Sequence, residues 1–389
     1  MNVRLFPILG IILINFIALG VVIPMLPSLA VHFHVAPLTI GLMFAMYPLC
    51  QFISGPLWGN LSDHIGRKAV LVLSLSSEVV AWLIIAFAPD IHWVFLGRAI
   101  DGVFGSSTSV AQAAIADAVA PEKRTQSYGH LGLAFGLGML LGPLIGITGA
   151  HGGYSTPFLT TAGLMLLALI LALAFFPENR AHGEKPKTTV SFSEIVIIFQ
   201  DPRLAYVLLQ RIALLVGLTA WFSVEVLFLT TKLRFGIQAV CAFYAVKAGV
   251  IMLTNGFLVG WMTKRINDQG IACIGFFLQV VAFTLVPFID GIPLLIIMSV
   301  FLCMGGELTN AGMIASITKL ASAKQQGTAL GVCSSIDALS GIIGPILATV
   351  VFGKFGASSS GFVSLSCLMV ALIMGVFAVL PHLTREDPV

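Results

Sequence analysis

The chain has 389 residues, 58% of them hydrophobic and only 10% charged, with a net charge of +3 and a mean hydropathy of +1.02. A soluble domain carries roughly 25% charged residues, so this composition excludes a soluble globular protein and implies an integral membrane protein. The net charge is too small to suggest a nucleic-acid partner, and its sign reflects loop lysines and arginines rather than a binding patch. The six cysteines (Cys50, Cys241, Cys273, Cys303, Cys333, Cys367) are scattered through apolar runs without metal spacing and read as small core residues.

About twelve apolar segments follow one another, each near the ~20 residues that ~30 Å of hydrocarbon requires. They cover approximately residues 5–30, 38–58, 69–89, 92–116, 127–149, 155–177, 204–230, 238–262, 270–289, 292–317, 327–352 and 359–381. With no water in the bilayer core they must be helices, and the polar–apolar alternation of a transmembrane barrel is absent. The first run is too long for a signal-peptide core and lacks a small-residue cleavage site, so it reads as a span. It carries Asn15 and, toward its outer end, Gly20-Val-Val-Ile-Pro24-Met-Leu-Pro27.

Between spans 2 and 3 stands Gly59-Asn-Leu-Ser-Asp63-His-Ile-Gly66-Arg67-Lys68. Its glycines permit a tight reversal, and Asp63, Arg67 and Lys68 belong at a membrane surface. A basic loop beside a span also follows from the positive-inside bias alone. The spacing Gly-x-Leu-x-Asp-x-x-Gly-Arg-Lys nevertheless resembles the loop between helices 2 and 3 of the major facilitator superfamily, with His64 where the family usually has Arg or Lys. In that family the loop's Asp and Arg lock the cytoplasmic ends of neighbouring helices and are released during transport. The resemblance therefore implies a gating role for Gly59, Asp63, Gly66, Arg67 and Lys68. Asp117-x6-Arg124 resembles the acid-and-Arg pair that these proteins place opposite the loop.

Span 3 holds Glu78; the family's architecture puts helix 3 at the periphery, which implies a structural pair there rather than a role in transport. Along span 4, Arg98, Asp101, Gly105, Thr108, Ser109 and Gln112 recur at three- and four-residue steps and form one polar stripe. Such a stripe faces either a cavity or another helix in a hydrogen-bonded seam. Arg98-Ala-Ile-Asp101-Gly102 resembles the helix-4 Arg motif of drug:proton antiporters, with Asp101 where a Gln usually stands. Span 5 carries Gly132-x3-Gly136-Leu-Gly138-x3-Gly142-Pro143-Leu-Ile-Gly146. Small residues every four positions make a flat helix face for close packing. The pattern also resembles the helix-5 Gly-Pro motif of exporters, departing from it at Ile147, and Pro24-x-x-Pro27 resembles helix 1 of tetracycline-exporter relatives.

The only long polar interruption, 178–203, is expected to be a cytoplasmic linker between two six-span halves, 1–177 and 204–389, with Ser191–Phe199 a short interfacial helix. The halves repeat each other weakly. Gly59, Leu61 and Lys68 find echoes 197 residues later at Gly256, Leu258 and Arg265, with Gly260 in place of Asp63; Gly129, Gly142 and Pro143 find theirs 202 residues later at Gly331, Gly344 and Pro345. In the superfamily such parallel halves have the substrate site between them. If the amino terminus is cytoplasmic, fourteen Lys and Arg fall on the inner side and only Lys232, Arg234 and Lys354 on the outer, which places both termini inside.

Each unpaired charge within a span costs at least ~2.5–3.5 kcal/mol near the bilayer centre. Arg98 and Asp101 are the obvious pair on one helix face. Arg211 and Glu225 share a face of span 7, but fourteen residues rise ~21 Å, so they cannot touch. Lys247 needs an acid, which Glu225, Glu307 or Asp337 could supply. Asp101 fits equally as proton carrier and as fixed partner of Arg98.

No Walker loop, nucleophile elbow or metal cluster is present, so neither an enzyme nor an ATP-driven pump is indicated, and no cofactor is expected. The resemblance implies an all-α major facilitator fold and a secondary active transporter in a cell membrane, the bacterial inner membrane. It is expected to be a monomer that exports a small, partly apolar drug or metabolite against protons by alternating access. Arg98, Asp101, Glu307 and Asp337 are the candidates for proton coupling. Asn15, Gln112, Arg211, Phe222, Glu225, Lys247 and Asn310 are the candidates for the substrate cavity, and Gly138, Gly142, Pro143 and Gly146 those for helix packing. A proton-coupled nutrient symporter and a non-transporting membrane receptor or scaffold remain open alternatives.

Overall fold

The computed structural model describes residues 5–107, 110–111, 124–149, 153–176, 200–322 and 326–383, and among them every regular element is helical. In chain order these are α1 (Leu5–His32), α2 (Pro37–Ile65), α3 (Arg67–Ala86), α4 (Ile91–Phe104), α5 (Arg124–Gly149) and α6 (Ser155–Phe175). Then come α7 (Pro202–Thr231), α8 (Ile237–Leu253), α9 (Asp268–Leu285), α10 (Ile292–Leu320), α11 (Gln326–Phe355) and α12 (Phe362–Leu383). Beyond Leu253, α8 runs on through a π turn, Thr254–Leu258, into a last turn, Val259–Met262.

Local chemistry sets the helix starts. Pro37 and Pro202 open α2 and α7, where a missing N–H costs nothing. Asp90, Asp201 and Asn267 cap α4, α7 and α9 by accepting from His92 N (2.8 Å), Arg203 N (2.9 Å) and Gly270 N (2.8 Å). Among the described residues nine helices are long and apolar enough to cross a membrane, and two shorter apolar stretches lie in α5 and α12. α4 is the exception: its 14 residues rise about 21 Å, short of a bilayer core.

The chain forms two compact units, residues 1–189 with 235–249, and residues 190–234 with 250–389. In the first, α1 packs on α5 and α6, α3 on α4 and α6, and α2 on α4. In the second, α7 packs on α11 and α12, α9 on α10 and α12, and the π turn after α8 on α10. The second pattern is the first shifted by six helices. The glycine echo falls at matching crossings. A Cβ on Gly142 would lie 2.6 Å from the Cα of Gly20 on α1, and one on Gly344 would lie 2.7 Å from the carbonyl oxygen of Val216 on α7. Gly138 is as tightly placed, against the backbone of Phe16, and Pro143 adjoins Gly20. Gly146 is looser, with Cys241 Sγ and Met25 Cε at 3.3 and 3.4 Å from such a Cβ.

The decapeptide expected as a loop is mostly helix. α2 continues through Ile65, and Gly66 alone turns the chain, at φ 97°, before α3 starts at Arg67. A positive φ of that size is open to glycine and strained for other residues, so one residue makes the reversal. Gly59 therefore lies within α2, and the side chain of Asp63 lies outside the described residues. Arg67 Nη1 donates to Ser62 Oγ at 2.7 Å across the turn. Lys68 Nζ donates to the Leu173 carbonyl at 3.0 Å, placing a cation on the C-terminal end of α6, where the helix dipole favours it. Asp117, the side chain of Arg124, and the linker residues 177–199 are outside the described residues.

Candidate functional site

In the first unit the polar stripe of span 4 does not run down one continuous helix. α4 stops at Phe104, and Gly105 (φ −69°, ψ 58°) takes the chain out of helical geometry. Breaking a helix at membrane depth frees carbonyls that water cannot satisfy, and here side chains of α2 and α3 reach them. Ser54 Oγ donates to the Gly102 carbonyl (3.3 Å), Trp58 Nε1 to that of Val103, Ser74 Oγ to that of Phe104, and Gln51 Nε2 to that of Gly105 (2.8 Å). Thr108, Ser109 and Gln112, at the lower end of the stripe, are outside the described residues.

Beside the break lies a buried charge cluster. Arg98 Nη1 meets Asp101 Oδ2 at 2.7 Å, with both residues at least nine-tenths buried. The guanidinium also stacks 4.8 Å from the Tyr47 ring centre and 5.9 Å from that of Trp82. Glu78, expected at the periphery, is only 5% exposed and lies within electrostatic reach of Asp101. The reason is geometric: Ser74, Glu78, Ala81 and Trp82 share the buried face of α3, and that face meets the break in α4. Ser74 Oγ lies 3.2 Å from Glu78 Oε1, and the Ser107 hydroxyl is also in hydrogen-bonding reach of the carboxyl. Ser107 Oγ donates in turn to Asn15 Oδ1 at 3.0 Å, which ties α1 into the cluster. Arg98 Nε and Ser106 Oγ are buried without a hydrogen-bond partner.

The second unit has its own pair, which the sequence does not single out. Arg211, 5% exposed, donates from Nε (3.2 Å) and Nη2 (2.8 Å) to Asp337 Oδ1, and from Nη1 to Asn310 Oδ1 (3.3 Å). α7 packs on both α10 and α11, so the three residues converge. Asp337, one of three acids considered for Lys247, thus has a partner in Arg211. Glu307 accepts from Asn255 Nδ2 at 2.8 Å, an amide supplied by the π turn after α8. π turns recur at functional positions. Glu225 is fully buried and accepts from Trp221 Nε1 at 2.9 Å. Lys247 lies against the rings of Tyr244 (4.9 Å) and Phe243 (5.6 Å). Phe222 is exposed. Sequence reasoning passed over Gln51, Ser54, Trp58, Ser74 and Asn255; only the i,i+4 step from Ser74 to Glu78 was there to be noticed.

Long apolar helices, one carrying a buried ion pair beside a break whose carbonyls are met by side chains, define a polytopic membrane protein. The Major Facilitator Superfamily model matches residues 8–289 and 250–389, and the chain belongs to that family, a family of transporters and not of enzymes. It is 30% identical over 370 residues to the class D tetracycline resistance protein of Salmonella ordonez, covering 91% of each chain. It is 22% identical to multidrug resistance protein 2 of Bacillus subtilis (strain 168), covering 88% of this chain and 86% of that one. Among solved structures, a bacterial homologue of the human lysosomal transporter Spinster superposes with a TM-score of 0.81 at 15% identity, covering 99% of this chain and 98% of the other. The nucleoside transporter NupG does so with a TM-score of 0.79 at 14% identity, covering 99% and 100%. The protein is therefore a multi-pass membrane protein, of the inner membrane in bacteria.

Proposed function

We propose that the protein is a proton-coupled exporter of small, partly apolar drugs or metabolites, working by alternating access with twelve spans, both termini cytoplasmic, as a monomer and without a cofactor. The observation that supports this most is the set of buried ionisable groups in each unit, Glu78, Arg98 and Asp101 in one and Arg211 and Glu225 in the other, with Arg211 paired to a half-exposed Asp337. Such groups are costly in a membrane and are kept where they serve ion or substrate pathways. The relatives named for resistance to tetracycline and to multiple drugs, matched along most of the chain, support export as the direction and drugs as the substrate class. Inverted vesicles energised to be acidic inside are expected to accumulate tetracycline or members of a panel of partly apolar compounds, and to lose them on adding a protonophore. Accumulation that ignores the protonophore removes the proton from this reading, and no accumulation of any compound removes export.

Glu307 is the second unit's acid for this coupling. A glutamine there keeps an acceptor for Asn255, so Glu307→Gln is expected to fold normally. It should abolish proton-driven uptake into inverted vesicles while substrate exchange down its own gradient continues. Undiminished proton-driven uptake would take Glu307 out of the coupling path.

A further inference from the structure

Arg211 of α7 binds two side chains, and each keeps one polar end unused. Arginine carries only donors, so the Asn310 oxygen must be the atom that faces it, and Nη1 reaches that oxygen at 3.3 Å. The Asn310 NH2 group is thereby turned away, and it has no acceptor among the described residues. Asp337 places Oδ1 alone on the guanidinium, where it accepts from Nε at 3.2 Å and from Nη2 at 2.8 Å. Its Oδ2 receives no donor from the described residues. The Arg211 side chain is 6% exposed, whereas that of Asp337 is 49% exposed, and Asn310 is exposed as well. One buried cation thus holds out, on the surface of the second unit, a carboxylate oxygen that accepts and an amide that donates.

All three residues lie within apolar spans, Arg211 in Pro202–Thr231, Asn310 in Ile292–Leu320 and Asp337 in Gly331–Phe355. A charged side chain at that depth does not face lipid, so the open side of Asp337 faces water or a ligand that replaces it. The charges select the ligand. An ammonium approaching the carboxylate meets the guanidinium behind it, and an anion approaching the guanidinium meets Asp337. Glu307, one turn before Asn310 on α10, is engaged by Asn255 of the π turn. A neutral group meets neither repulsion. It gains most when it donates to Asp337 Oδ2, a charge-assisted bond, and accepts from the Asn310 amide. A primary carboxamide, or a hydroxyl beside a carbonyl, offers that combination. Apolar surface adjoins it, because Ile314, one turn beyond Asn310 on the same face of α10, is exposed.

We infer that Asp337 and Asn310, held in place by Arg211, are the second unit's anchor for the polar group of the substrate, and that this group is neutral and carries a hydrogen-bond donor beside an acceptor. Asp337 then binds substrate instead of carrying the proton, which stays with Glu307. That the ligand is a transported substrate rests on the export proposed above; the chemistry of the anchor does not.

Equilibrium binding of four probes that share one apolar body tests this on the full chain in lipid, corrected for uptake by lipid alone. The probes are naphthamide, methyl naphthoate, naphthylmethylammonium and naphthoate. The wild type is expected to bind naphthamide about tenfold more tightly than the ester, which accepts but cannot donate, the worth of one hydrogen bond to a charged group. It should also prefer naphthamide to either ion. In Asp337→Asn the new amide keeps its oxygen on Arg211 and turns NH2 outward, so the preference for naphthamide over the ester should vanish. Asn310→Ala should weaken both neutral probes several-fold and leave their ratio unchanged. Equal binding of the four probes by the wild type, tighter binding of either ion, or a naphthamide preference that persists in folded Asp337→Asn overturns the inference. Should Asp337→Asn fail to fold, Asn310→Ala decides, and unchanged affinity for both neutral probes is equally fatal. A protein that shows the preference but accumulates no compound in inverted vesicles leaves the anchor standing and sinks the export reading; one that accumulates compounds without the preference does the reverse.

Discussion

Asp101→Asn is expected to destabilise the protein by about 3–5 kcal/mol, the cost of removing one partner from a buried ion pair. Arg98 is 8% exposed, and its Nη1 contact with Asp101 at 2.7 Å is its charged interaction among the described residues. Stacking on Tyr47 and Trp82 adds only cation–π attraction of about 0.5–2 kcal/mol, too little to hold an uncompensated guanidinium. Removing both charges, as Arg98→Met with Asp101→Leu, should recover much of the loss, because apolar residues of similar volume replace buried pairs at little cost. Unfolding in detergent, monitored for the single and double variants, separates the two roles open to Asp101. A single variant within about 0.5 kcal/mol of wild type, the range of an inconsequential surface change, would mean that Arg98 does not need the carboxylate, and Asp101 would return as a proton carrier.

That pair can be read from the sequence because its members lie three residues apart on one helix. Arg211 and Asp337 lie 126 residues apart, and only the packing of α7 on α11 brings them together. No spacing rule reaches that far. The family resemblance speaks only for helix 3 as a whole; that one of its faces, with Glu78 on it, is buried against α4 and α6 comes from the packing. At the junction of spans 2 and 3 the polar composition suggests a loop. Helix propensity carries α2 on to Ile65, since a single glycine at φ 97° suffices to reverse the chain. The break in α4 is the least legible feature. Gly105 and Ser106 lower helix propensity but do not forbid helix, and what sustains the break is donors from Gln51, Ser54, Trp58 and Ser74, none of them local in sequence.

The glycine echo, by contrast, is visible in the sequence as an interval of 202 residues and in the structure as two matching helix crossings, and it carries the last prediction. A Cβ on Gly142 would stand 2.6 Å from Gly20 Cα, and one on Gly344 would stand 2.7 Å from the Val216 carbonyl oxygen and 2.8 Å from the Ala220 nitrogen. These neighbours are backbone atoms, which cannot rotate away as a side chain can, so any larger residue must push a whole helix. Overpacking of this kind costs about 1–3 kcal/mol or more, and leucine at either position is expected at or above the upper end, with α1 displaced from α5 or α7 from α11. Gly163 on α6 is the control. It is exposed with nothing within 4 Å of its Cβ position, so Gly163→Ala should be neutral or stabilising by up to about 1 kcal/mol through helix propensity alone. Thermal unfolding of Gly142→Leu, Gly344→Leu and Gly163→Ala in detergent reads all three. Wild-type stability in both leucine variants would mean that the helices do not approach this closely. A loss confined to one of them would mean that the two units, although they repeat the same pairing of helices, do not depend equally on the same crossing.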